Sequence, residues 1–131
     1  MSEQHKDNDL DVHNVNSYFN FLHEKAKEIN SISPTFCAAK WLDATIWLSN
    51  GFSTSCHHNP LYKIDLEELK TNPSALHNTA YKKEQRKIML KQERPQECGY
   101  CWAMEDNNKL SDRHYRSGEP CATKDFNAIM N

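Results

Sequence analysis

The sequence predicts a small α+β domain made of an N-terminal helix, one β-hairpin and a longer basic helix, with loops gathered around a set of cysteines. Three observations predict it. Apolar residues recur at three- and four-residue steps over 15–29 and again over 76–89. Two strand-like runs flank Asn50-Gly51. Four of the five cysteines stand at the ends of that hairpin and in one Cys-x-x-Cys pair. At 131 residues there is room for a single domain. We place it at 14–131, behind a polar, unpatterned stretch over 1–13 that reads as a disordered tail.

Each element has its own signal. Asn14 suits the cap of a helix over 15–29, in which Val15, Tyr18, Leu22, Ala26 and Ile29 share one face. The run Leu42 to Leu48 alternates Ala44, Ile46 and Leu48 with Asp43, Thr45 and Trp47. Asn50-Gly51 then predicts a tight turn, because both residues tolerate positive φ, and the returning strand runs from Phe52 to Cys56. Residues Asp65 to Thr71 form a short helix stopped by Asn72-Pro73. A longer helix follows from Pro73 or Ser74 to Gln92, with Leu76, Ala80, Tyr81, Ile88 and Met89 inside and Lys82, Lys83, Arg86, Lys87 and Lys91 outside. His77 falls on its apolar side and reads as a half-buried side chain. Pro95 ends the helix, and the last thirty residues carry one turn signal, at 117–120.

Composition narrows the classes. The chain is 37% hydrophobic and 26% charged, with a mean hydropathy of −0.89, so its apolar core is thin. A domain of this size with such a core leans on a metal or a partner. The net charge of −2 supplies no pull toward nucleic acid or an anionic membrane. No apolar run is long enough to span a bilayer, and MSEQHKDNDLDVHN contains no apolar secretory segment, which predicts a cytoplasmic protein. In a reducing compartment clustered cysteines serve as ligands or catalysts more often than as disulfides.

The cysteine spacing is the sharpest feature. Cys37 is followed by thirteen residues, Gly51, four residues and Cys56, so folding the hairpin brings two thiols to one end. Cys98 and Cys101 supply two more from one loop. Four thiolates suit a tetrahedral zinc or a four-iron cubane equally well. Cys121 is left over and reads as a bystander. His57 and His58 read as neighbours of the site that tune it, and Trp41, Trp47 and Trp102 as apolar shielding.

The order Cys37, Gly51, Cys56, then Cys98-x-x-Cys101, resembles the twitch module of radical S-adenosylmethionine proteins, a shortened SPASM domain. The surrounding words FCAAKWLDATIWLSNGFSTSCHH, NPSALHN, ERPQECGYCW and SDRHYRS look like the viral type of that family. The resemblance implies one auxiliary [4Fe–4S] cluster ligated by Cys37, Cys56, Cys98 and Cys101. The radical core itself, Cys-x-x-x-Cys-x-x-Cys, is missing, because Arg94 stands where its first cysteine would be. The implied role is an electron relay or structural module for a radical S-adenosylmethionine enzyme, or its substrate, in trans, with no catalysis alone. If the chain is viral, its compartment is the host cytoplasm.

Three other readings compete. A structural zinc interaction domain uses the same four cysteines. An HNH-like zinc nuclease would draw on Cys98, Cys101, Cys121 and the Asp112–His114 segment, but it leaves Cys37 and Cys56 without a role. A thiol–disulfide pair at Cys98 and Cys101 needs its first cysteine at a helix N-terminus, whereas the motif follows a helix.

Overall fold

The computed structural model describes the backbone of residues 2–122 and 126, and the side chains of 15–120, 122 and 126. It is a small α+β domain, with helices α1 Ser2–Ile32, α2 Ala39–Leu42, α3 Leu66–Thr71, α4 Ala80–Leu90, α5 Gly99–Asp106 and α6 Asp112–Ser117. Strands β1 Thr45–Trp47, β2 Phe52–Thr54 and β3 Tyr62–Lys63 form one antiparallel sheet in the order β1-β2-β3. Among the described residues no helix is long and apolar enough to cross a membrane.

Helix α1 begins well before the expected Asn14 cap, and the side chains of the expected tail lie outside the described residues. Its buried face is Leu22, Lys25 and Ile29, while Val15 and Tyr18 stay exposed. That face packs on α6. Gly118 lets the two helices approach closely: a Cβ there would stand 3.1 Å from Leu22 Cδ2 and 3.3 Å from both Phe21 Cε1 and the His114 carbonyl oxygen.

The hairpin forms with a different turn. Trp47 pairs with Phe52, which leaves four residues in the loop rather than two. Of Asn50 and Gly51 only the glycine takes positive φ, at 73°, and its N–H donates to the Trp47 carbonyl at 2.8 Å. Leu48 therefore sits in the loop, 82% exposed, instead of continuing the strand. The strand β3, unforeseen from sequence, extends the hairpin by pairing with β2.

Helix α3 follows expectation: the Asp65 carboxylate caps it by accepting the Glu67 and Glu68 N–H groups. The long basic helix does not form as one piece. A 3-10 turn over Pro73–Leu76 comes first, and α4 starts afresh where Thr79 Oγ1 accepts the Lys82 N–H at 3.0 Å. Thr79 is extended, at φ −67° and ψ 157°, so the helical path breaks there. His77 lies in this break and is exposed, not half-buried on a helix face. The basic face is likewise divided. Lys82 donates to the Asp43 carbonyl (2.6 Å) and Arg86 to the Lys40 carbonyl (3.2 Å), so both reach the C-terminal end of α2. Burial pushes the Lys82 amine down to about 8.

Two apolar clusters make the core. One gathers Ile29, Phe36, Ala38, Ala122 and Phe126; the other gathers Met89, Cys98, Cys101 and Trp102. Trp41 packs against both. Trp102 anchors its end of the core by donating Nε1–H to the Pro95 carbonyl at 2.9 Å. Trp47 lies on the hairpin, 36% exposed and outside both clusters. Ser33 and Thr35 close the far end of α4 by donating to the Met89 carbonyl at 2.5 and 2.8 Å.

Candidate metal centre

Cys37, Cys56, Cys98 and Cys101 line one cavity, about 410 Å³ of atom-free space that includes its opening to solvent. All four are free thiols. They arrive from three places. Cys37 immediately precedes the turn into α2, Cys56 follows β2, and Cys98 caps α5 with Cys101 in its first turn. The side chain of Cys121 lies outside the described residues.

The thiols sense one another. Burial pushes Cys37 up to about 12, and the neighbouring Cys101 and Cys56 add to the rise against the opposing Ala39 N–H and Arg113. Burial likewise takes Cys98 to about 12, with Cys37 and Cys101 adding and Lys40 opposing. Cys101 is raised by burial as well, while the Arg113 backbone N–H and the Ser111 hydroxyl pull the other way. Donors of this kind, aimed at sulfur, stabilise a thiolate once a metal replaces the proton.

The spread of the sulfurs bears on which metal fits. Among the described residues no three of these cysteines hold their sulfurs within 4.8 Å of one another. A lone zinc about 2.3 Å from each sulfur would draw them to roughly 3.8 Å apart. A cubane holds its thiolates on separate irons and so keeps them wider. The metal-free sulfurs are thus not drawn together as they would be around a bound zinc, and the four-thiol lining with N–H groups beside sulfur suits thiolate coordination of either group.

Charged groups surround the cavity. Lys40 is buried, pairs with Glu97, and donates to Ser55 Oγ at 2.9 Å. Glu97 also accepts from Asn59 (3.2 Å) and from the Tyr81 hydroxyl (2.7 Å). Arg113, 2% exposed, donates to the Phe36 carbonyl at 2.9 Å and to Glu105 at 2.5 Å. Sequence reasoning missed Lys40 and Ser111 at this site, because each becomes relevant only when distant segments converge.

His57 and His58 meet a different partner from the one foreseen. His58 stacks on Tyr100 (centroids 3.9 Å apart, planes 13°), and its Nε2 stands 2.6 Å from Asp112 Oδ2. That oxygen is buried and makes no aligned hydrogen bond, so a protonated His58 meets it as an ion pair, with His57 Nε2 farther off at 3.5 Å. His57 Nδ1 lies 2.9 Å from an Arg116 nitrogen. Cys56, His57 and Asp112 place one donor atom each within 4.8 Å of the other two.

The competing chemistries fare unequally. His114 is buried, its Nδ1 accepts the Ser111 N–H at 2.9 Å and its Nε2 faces Arg113 at 3.3 Å, which is a structural setting and not that of a nuclease base. Cys98 does sit at a helix N-terminus, contrary to the expectation that told against a redox pair. Its thiol is nonetheless buried and raised, the reverse of an activated nucleophile. No family model, curated protein or solved structure matches the chain.

Proposed function

We propose that this protein binds one [4Fe–4S] cluster through Cys37, Cys56, Cys98 and Cys101, as an electron relay or structural module for a radical S-adenosylmethionine enzyme in trans. One observation supports the reading: four cysteines from three separate segments line a single cavity, in the order that carries the twitch resemblance. When bound, the cluster would supply one-electron transfer. The residues around it have defined tasks. Met89 and Trp102 exclude water, the Ala39 and Arg113 N–H groups face sulfur, and Lys40 offsets negative charge beside Cys98. With every iron held by a thiolate no site stands open for S-adenosylmethionine, so relay or scaffolding is favoured over catalysis.

The test is anaerobic purification with iron, acid-labile sulfide and zinc quantified. We expect a brown protein with about four irons and four sulfides per chain. Stoichiometric zinc without sulfide would replace this reading with the structural zinc domain.

A further inference from the structure

The Cys56 corner of the cavity differs from the other three. Cys98, at the cap of α5, and Cys101 are buried, and Cys37, partly exposed like Cys56, faces the Ala39 N–H. Cys56 is partly exposed in the bend after β2 and also lines an outer groove with Leu42, Asp43, Thr45, His57 and Arg116. Asp112 lines the inner cavity together with the four cysteines. Its carboxylate and the Cys56 sulfur are within 4.8 Å, while its buried Oδ2 makes no aligned hydrogen bond and has only the imidazole nitrogens of His58 (2.6 Å) and His57 (3.5 Å) at ion-pair distance. A buried carboxylate oxygen in that condition carries a desolvation cost that a cation would relieve. His57, the other donor in reach of Cys56, is more than half exposed and already engaged by Arg116.

We infer that Asp112 is an alternative ligand for the iron at the Cys56 corner, so that five donors serve four irons. The inference rests on the cluster reading above. Iron binds carboxylate oxygen as well as thiolate sulfur, and the exchange would need no electron: the Cys56 thiolate would leave with a proton and a carboxylate oxygen of Asp112 would take its place. The iron at this corner is then the labile one, and it faces the groove through which an outside ligand would arrive.

The wild type is assayed first, anaerobically, for iron and sulfide; absence of sulfide there defeats the cluster reading itself, before any variant is considered. Given a cluster, Cys56→Ala should retain more than half of the wild-type iron and sulfide, with an altered electron paramagnetic resonance spectrum on reduction. Cys98→Ala and Cys56→Ala/Asp112→Ala should each retain less than a tenth. The inference is overturned if Cys56→Ala is as empty as Cys98→Ala, or if the double variant is as full as Cys56→Ala. Circular dichroism checks the fold of each variant. Should the double variant not fold, the spectrum of Cys56→Ala decides, since one identical to wild type means that Cys56 was not a ligand of the cluster and overturns the exchange.

Discussion

Single side chains set the character of this site. Lys40 and Glu97 are buried together beside Cys98, so removing one partner strands the other. Lys40→Met should destabilise the protein by about 3–5 kcal/mol in urea unfolding, and adding Glu97→Leu should recover much of that. The thiols make a second prediction, with the sign fixed by linkage. Cys37 and Cys98 are raised by burial from 9.0 to about 12, so the folded metal-free chain holds protons that the unfolded chain gives up. Their stabilisation is complete below pH 9 and is lost as pH climbs toward 12. Lys82, lowered by burial from 10.5 to about 8, acts oppositely between those values. In Lys82→Met the metal-free protein should therefore lose stability steadily from pH 9 upward, measured as the urea midpoint; a flat profile would mean that the thiols are not desolvated. At this scale the gathering of the four cysteines in one cavity was legible, because a hairpin spacing and a Cys-x-x-Cys loop each announce themselves locally. Asp112, Lys40 and Ser111 were not, since nothing in 111–117 signals that α6 will meet α1 and the cysteine cavity.

Elements show where periodicity succeeds and where it misleads. The helix over 66–71 was readable because Asp65 caps it and Asn72-Pro73 ends it. The single helix expected over 73–92 was not, because apolar spacing carries on unbroken through Thr79 while the backbone does not. Thr79→Ala should cost about 1 kcal/mol by removing the cap of α4, seen as a lower melting temperature. Helices α5 and α6 escaped the sequence reading because they are short, eight and six residues, and their apolar positions are supplied by cysteines, Trp102 and buried polar residues. The joint between α1 and α6 depends on Gly118, and Gly118→Val should cost more than Gly118→Ala because its extra carbons meet Leu22 and Phe21. A pair of equal melting temperatures for the two variants would show that the helices can separate freely there.

At the scale of the whole molecule, the described residues divide their apolar interior between two clusters, and one of them, Met89, Cys98, Cys101 and Trp102, surrounds the cavity. If the centre is loaded as proposed, stripping the metal should lower the melting temperature sharply and broaden the transition, as followed by circular dichroism before and after chelation. The loaded protein, given dithionite and S-adenosylmethionine, should form no 5′-deoxyadenosine until a separate radical enzyme is added; turnover by the chain alone would reveal an iron without a protein ligand. The placement of the three tryptophans has a further consequence. Trp102 lies against the cysteines and Trp41 between the two clusters, whereas Trp47 projects from the hairpin. An iron–sulfur chromophore absorbs where indole emits, so loading should extinguish the blue emission of the two inner rings. The red-shifted light that remains would come from Trp47, and the colour of the fluorescence would report the occupancy of the centre in real time.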